Sequence, residues 1–242
     1  MDKQKLKELE EDGYTIIKNV FSNEEIADFR EAAKEYFDNN PYLHWGNNDT
    51  EIKSKILPGW CDNEFLNKVK GKKLSQIASL PSDKRIVSLL NYFFKGEEWI
   101  FMNESDLHEN VNTPEWHSDS INQVTDFEKE KILKTCILLQ DHLDDETGLW
   151  MKPKTHLRTD WRDRGRECND LPSKSINSEA GDIVLFNQYA IHKGQDGNPS
   201  YYERYKRNRY FMTLSFGINN EYTKTQMEHT RARQLDQQKD MT

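Results

Sequence analysis

Cysteine is scarce in this chain. Its 242 residues include only 3, Cys61, Cys136 and Cys168, with no Cys-x-x-Cys pair. An odd, scattered set excludes a disulfide framework and a zinc ribbon, and it suits a reducing compartment, so a cytoplasmic location is expected. Long apolar runs are also missing. The longest are Ile183–Phe186 and Cys136–Leu139, far below the roughly 18 residues of a spanning helix, so no membrane partner is expected. The opening MDKQKLKELEED holds no apolar signal core. Cationic charge is in deficit: 34 Lys and Arg face 42 Asp and Glu, for a net charge of −8. Such a balance argues against a nucleic-acid partner. Glycine (11) and proline (7) are few and scattered. Nothing marks a linker or a repeat, and one domain over residues 1–242 is expected.

What is present is aromatic and charged. Aromatics make up 11% of the chain, which disordered chains lack. A mean hydropathy of −0.98 describes a heavily solvated surface. The first forty residues predict helix, strand, helix. Leu6 and Leu9 share one face, Asp12-Gly13 marks a turn, and Tyr14–Val20 is rich in β-formers. Ser22 followed by Glu25 is a capping-box signature. Ile26, Phe29, Ala33, Tyr36 and Phe37 then recur at helical spacing over residues 23–38. Further helices are predicted near Asn63–Val69 and Leu74–Ser79.

From Lys84 onward short strands are predicted: Arg85–Phe94, Trp99–Asn103, around Trp116–Asp119, Thr135–Asp141, Gly148–Met151, Ile183–Phe186, Ala190–Lys193 and Arg209–Gly217. Turn residues separate them, among them Asn112-Thr113-Pro114, Asp144-Asp145, Gly181-Asp182 and Asp196-Gly197. Many short strands after opening helices predict a jelly roll, mainly β, with the N-terminal helices packed outside the larger sheet. The last strand fits. Tyr210, Met212, Leu214 and Phe216 form a greasy face, while Arg209, Phe211, Thr213 and Ser215 form a mixed one suited to a cavity. The tail from Asn219 is polar and predicts a frayed helix.

The chemistry is concentrated in Trp116-His117-Ser118-Asp119. On a strand, residues two apart face the same way, so His117 and Asp119 can aim an imidazole and a carboxylate at one point. His192 follows much later, after the turn Gly181-Asp182 and an apolar strand. Two histidines and one carboxylate are the facial set of non-heme Fe(II) oxygenases. Three protein ligands on one face leave the others open for a cosubstrate and O₂. Arg209 opens the last strand, and its planar fork matches a carboxylate such as the distal one of 2-oxoglutarate. Arg207 has the same parity and is the rival anchor, with Arg204 behind it. Each signal alone is weak, and their order gives them weight. His44, His142 and His229 are expected at the surface, with Asp141, Asp144 and Asp145 around His142 as a solvated turn. His108 and His156 are placed near the cavity by nothing local. Trp45, Trp60, Trp99, Trp150 and Trp161 are expected in the core or at the rim. Lys206, Arg207 and Arg209 beside Tyr201, Tyr202 and Tyr205 read as a solvated lid or as a group that recognises an anionic substrate. Residues 39–82 and 194–208 are expected to line or cover the cavity mouth.

With these residues the sequence resembles the phytanoyl-CoA dioxygenase-like family of Fe(II)/2-oxoglutarate oxygenases. EEDGYTIIKNVFSNEEIADFREAAKEYF resembles the family's first strand and helix, and WHSD its first metal motif. LLQDHLDDETGLWMKPKTH, GDIVLFNQYAIHKG and RYFMTLSF resemble its later strands, in the family's order. The resemblance implies a double-stranded β-helix with iron at His117, Asp119 and His192 and 2-oxoglutarate on Arg209. It implies a dioxygenase that hydroxylates a C–H bond of a small, polar or anionic substrate, releasing succinate and CO₂. Asp119 fills the position that a halogenase leaves empty for halide. Gly194 stands two residues after His192, where the family often has a hydroxyl; Thr213 or Ser215 would have to replace it. Two alternatives compete: a jelly-roll binding module without catalysis, and a cupin-like metal enzyme that does not use 2-oxoglutarate.

Overall fold

The computed structural model describes residues 3–39, 55–61, 72–111, 113, 115–119, 126, 128–142, 148–157, 171–194 and 207–239. The helix expected near Asn63–Val69, together with His44, Trp45, Asp144, Asp145, Trp161, Cys168, Asp196-Gly197, Tyr201, Tyr202, Arg204, Tyr205 and Lys206, lies outside them.

The N-terminal pattern folds as its spacing dictates. Helix α1 (Lys3–Asp12) ends at Gly13, whose φ of 86° turns the chain into strand β1 (Tyr14–Ile17). Helix α2 (Asn23–Asn39) starts at a reciprocal cap: Ser22 N–H donates to Glu25 Oε2 (2.9 Å), and Glu25 N–H donates to Ser22 Oγ (3.3 Å). Its buried stripe is Ile26, Phe29, Ala33, Tyr36 and Phe37. Strand β2 (Lys55–Pro58) and helix α3 (Lys72–Ile77) follow.

Helix α4 (Lys84–Phe93) corrects the strand expected over Arg85–Phe94. Asp83 caps it by accepting from Arg85 N–H (2.8 Å). Ile86, Leu89, Leu90 and Phe93 are its buried residues, one helical stripe. In so apolar a segment the cap and the 3.6-residue period outweigh β-propensity.

The remaining strands are β3 (Trp99–Glu109), β4 (Ile132–Leu138), β5 (Leu149–Met151), β6 (Lys174–Ile176), β7 (Ile183–Asn187), β8 (His192–Lys193) and β9 (Tyr210–Ile218). They form an antiparallel six-stranded sheet, in the order β1-β7-β4-β9-β3-β2, and a three-stranded sheet, β6-β5-β8. The expected jelly roll is therefore the observed fold. Strand β3 runs past its expected end at Asn103 to Glu109, through a bulge between Phe101 and Ser105. The strand expected at Ala190–Lys193 shortens to β8, and the one at Trp116–Asp119 to a single bridge at His117.

Alternation on the large sheet divides the interior. Tyr210, Met212, Leu214 and Phe216 of β9 join Leu133 and Ile137 of β4 in the main core, with the buried faces of α2 and α4. Cys136, Leu138, Val184 and Phe186 point the other way, toward Met151 and Ile176 of the small sheet. The helices thus stopper one face and leave the other for a cavity.

Helix α5 (Glu221–Lys239) forms where a frayed helix was expected from Asn219, and it is continuous over 19 residues. Asn220 Oδ1 accepts from Thr223 N–H (3.0 Å) at its start. The helix packs on β3 and β2 and buries Thr223, Gln226 and Gln234. Its buried side is polar, which is why no apolar period announces it. None of the described helices is long and apolar enough to cross a membrane.

Gly181 fixes the loop into β7. Its φ is 91°, and its N–H donates to Leu138 O (3.2 Å) while its carbonyl accepts from Val20 and Phe21 N–H. A Cβ there would strike the Phe21 carbonyl. Gly181→Ala is expected to cost about 2–4 kcal/mol, combining the left-handed penalty with the clash. Urea unfolding measures it; an unchanged midpoint would show that the loop shifts freely.

Candidate functional site

A cavity of about 310 Å³ opens between the two sheets, within the range of small-molecule sites. His117 and His192 face each other across its wall. Each donates its backbone N–H to the other's carbonyl at 2.9 Å, a single antiparallel bridge that continues the small sheet. Their rings lie 4.4 Å apart. Asp119 follows His117 by two residues and turns its carboxylate to the same point. Its Oδ1 is 3.9 Å from His117 Nε2, and its Oδ2 is 3.6 Å from His192 Nε2. One donor atom from each of the three lies within 4.8 Å of the others.

The donors are prepared for a metal. His117 Nδ1 is 2.9 Å from Glu115 O, and His192 Nδ1 is 3.0 Å from Ala190 O. Each Nδ1–H therefore donates to a carbonyl two residues back, which leaves both Nε2 lone pairs aimed inward. Burial pushes the His192 imidazole down to about 4, so it is neutral at pH 7. Burial works to raise the Asp119 carboxyl, but Lys134, His192 and His117 more than reverse it and hold it well below the usual carboxylate range. The neutral His192 imidazole and the ionised Asp119 carboxylate are in the states a divalent ion requires, and the set of two nitrogens and one oxygen fits Fe(II).

Lys134 stands behind this set. It projects from β4 between Thr135 and Leu133, and its Nζ donates to Asp119 Oδ2 at 3.0 Å, with Glu104 Oε1 at 3.8 Å. Burial disfavours its charge, yet Asp119 and Glu104 outweigh that and keep it protonated. Burial raises the Glu104 carboxyl despite Lys134.

Arg209 lies just ahead of β9 and lines the same cavity; it is 7% exposed. Its Nη2 donates to Val111 O (2.9 Å), and its guanidinium sits 5.0 Å from the centre of the Phe211 ring. Arg207 is exposed instead. Phe211 and Thr213 follow Arg209 into the cavity on the face expected to be mixed, and Gly194 borders it.

The four other described histidines separate. His229 is exposed, as expected. His108 lines the cavity, stacked on Phe211 at 4.1 Å, and burial holds it well below its ordinary value. His156 packs under Gly13, away from the cavity lining. His142 contradicts its expected surface position: it is 2% exposed and lines the cavity, bridged to Ser178. The short β-bridge and the nearby Gln140 amide (2.8 Å) draw it inward, although Asp141 beside it is exposed. Trp60 lies in the core, and Trp99 packs against it. Trp150 stands beneath the Lys193 ammonium.

Three further cavity residues escaped sequence reasoning. Lys134 left one signal, a lone cation in the apolar run Ile132–Leu139. Asp106 left another, because Glu104, Asp106 and His108 alternate along β3. Arg233 of α5 left none.

The model of the phytanoyl-CoA dioxygenase family matches residues 9–198. No curated protein matches the chain. Among solved structures, the non-heme alpha ketoglutarate dependent carbocyclase SnoK from nogalamycin biosynthesis is similar at 17% identity, over 92% of this chain and 89% of that one, with a TM-score of 0.69. HygX from Streptomyces hygroscopicus, solved with nickel, 2-oxoglutarate and hygromycin B, is similar at 13% identity over 90% and 88%, TM-score 0.64. EctD from S. alaskensis with bound Fe is similar at 16% identity over 90% and 77%, TM-score 0.64. At such identities the structural likeness shows a shared fold.

Proposed function

This chain belongs to the phytanoyl-CoA dioxygenase family of iron- and 2-oxoglutarate-dependent enzymes, and from that premise we propose that it hydroxylates a C–H bond of a small molecule, with Fe(II) held by His117, Asp119 and His192 and 2-oxoglutarate anchored by Arg209. One observation carries the reading: two inward Nε2 atoms and one ionised carboxylate converge in a cavity that also holds a buried guanidinium. When bound, ferrous iron with 2-oxoglutarate reduces O₂, the keto acid losing CO₂ to become succinate, and one oxygen atom is inserted into the substrate C–H bond.

The chain's residues supply the rest. The paired backbone bonds between His117 and His192 fix the spacing of the imidazoles before metal arrives. Lys134 holds one oxygen of Asp119 and so limits how its carboxylate can rotate. Arg209 presents its fork to a distal carboxylate. Phe186, Leu149 and Phe211 wall the cavity with apolar surface and keep water from the reacting bond.

The test is anaerobic loading with Fe(II), then succinate measured from 2-oxoglutarate with and without candidate substrates. A metal-bound protein that never consumes 2-oxoglutarate sinks the proposal. A second test separates the arginines. Arg209→Ala is expected to weaken 2-oxoglutarate binding to the Mn(II)-loaded protein by about 30-fold or more, the cost of losing a buried charge partner. If Arg207→Ala produces that loss and Arg209→Ala does not, the anchor is misassigned.

A further inference from the structure

The cavity has a second charged end. Glu104, Asp106 and His108 alternate along β3 and share its inward side. Asp106 pairs with Thr213 across the sheet, and His108 pairs with Phe211. Along the neighbouring strand, Thr213 and Arg209 are four residues apart, about 13 Å at the rise of a strand. Asp106 and Arg209 therefore mark different ends of the space.

Arg233 reaches this end from α5. Its Nη2 is 3.7 Å from Asp106 Oδ2 and 3.9 Å from Glu104 Oε1. Both separations exceed a hydrogen bond, so the guanidinium faces the carboxylates without closing on either. Its Nη1 donates to Gln237 (2.9 Å), and its side chain is 42% exposed, at the cavity rim. Glu104 has partners: Gln188 Nε2 donates to it at 3.2 Å, and Lys134 lies beside it. Asp106 is only 7% exposed, and its Oδ1 accepts no hydrogen bond among the described residues. A buried carboxylate oxygen without a donor is costly, and Asp106 is one of the residues that line the cavity.

We infer that Asp106 and Arg233 hold the substrate, and that the substrate is a zwitterion of the amino-acid class, its ammonium donating to Asp106 and its carboxylate accepting from Arg233. A carboxylate and a guanidinium side by side are the charge-inverted image of a neighbouring ammonium and carboxylate. A neutral polyol would supply the missing donor to Asp106 but offer no anion to the guanidinium. A plain anion would suit Arg233 but be repelled by Asp106 and Glu104. The cavity volume of about 310 Å³ also favours a small molecule. The inference rests on the oxygenase reading for which end belongs to 2-oxoglutarate.

The experiment is calorimetric titration of the whole protein, loaded with Mn(II) and 2-oxoglutarate. The probes are free α-, β- and γ-amino acids, their N-acetyl and methyl-ester derivatives, and sugar alcohols. At least one free amino acid is expected to bind, and blocking either end is expected to weaken it by about tenfold or more. Asp106→Asn and Arg233→Ala are each expected to weaken it similarly. Arg233 sits at the rim, so its variant keeps the test available if Asp106→Asn fails to fold. The inference is overturned if no free amino acid binds, if blocked forms or sugar alcohols bind as well, or if Arg233→Ala changes nothing. Binding of 2-oxoglutarate is measured in the same samples. Its loss with amino-acid binding retained counts against the oxygenase reading; its retention without amino-acid binding counts against the zwitterion alone.

Discussion

Asp119→Ala should bring iron content down to background and end succinate release from 2-oxoglutarate. Removing a group that merely orients a metal ligand costs about 10–100-fold in affinity, so losing the one anionic donor should cost more than about 100-fold. The two imidazoles that remain bring no anionic donor, so neither replaces the lost charge. Lys134 complicates the variant, because among the described residues its ammonium then keeps Glu104 alone, 3.8 Å away. Metal content must therefore be measured on protein whose circular dichroism matches the wild type. The outcome also separates the competing readings. A jelly-roll binding module would bind Fe(II) no differently after the change. A cupin-like metal enzyme would lose the metal, but its wild type would show no need for 2-oxoglutarate. Undiminished iron binding in a folded Asp119→Ala protein would end the triad assignment.

The sequence made some of this site legible because local geometry carries it. His117 and Asp119 are two residues apart, and an extended chain puts them on one side whether or not a full strand forms. The structure keeps only a one-residue bridge there, and the convergence survives. The strand from Arg209 was legible for the same reason, since side chains two apart share a face: Tyr210, Met212, Leu214 and Phe216 reach the helix-packed core, and Phe211 and Thr213 reach the cavity. The cap at Ser22 and Glu25 was legible because both of its bonds are local.

The rest depended on partners distant in sequence. His142 lies beside an exposed acidic residue and still turns inward, because its backbone pairs with Ser178. Arg85–Phe94 is apolar enough for either a strand or a helix, and Asp83 decides it through a capping bond. Helix α5 buries Gln226 and Gln234 in place of apolar residues. Its packing on β3 brings Arg233 to the cavity, and no periodicity in the tail could report that. The polar alternation Glu104, Asp106, His108 stayed hidden because the strand was expected to end at Asn103. The bulge there, with Asn103 at a φ of 53°, lets the strand resume.

The largest effect on stability should come from Lys134→Met. Methionine matches the length and apolar stem of lysine, so the change removes a charge with little loss of packing. Among the described residues Lys134 is the cation nearest to one half-buried and one buried carboxylate: Asp119 Oδ2 at 3.0 Å and Glu104 Oε1 at 3.8 Å. Replacing a whole buried ion pair by apolar residues is often harmless, but removing one partner is not, because the other charge stays buried. That loss is about 3–5 kcal/mol, equivalent to a fall in Tm of about 6–20 °C for a domain of this size. Two further measurements tie the loss to charge. Adding Glu104→Gln to Lys134→Met removes one stranded carboxylate and should restore part of the stability. Mn(II) supplies positive charge beside Asp119, so it should raise the Tm of Lys134→Met more than that of the wild type. If Lys134→Met melts with the wild type, the Asp119 carboxylate is solvated through the cavity and gains little from the ammonium. If it melts lower but Mn(II) rescues both proteins equally, the cation serves Glu104 instead, and the contact with Asp119 contributes nothing to holding the ligand.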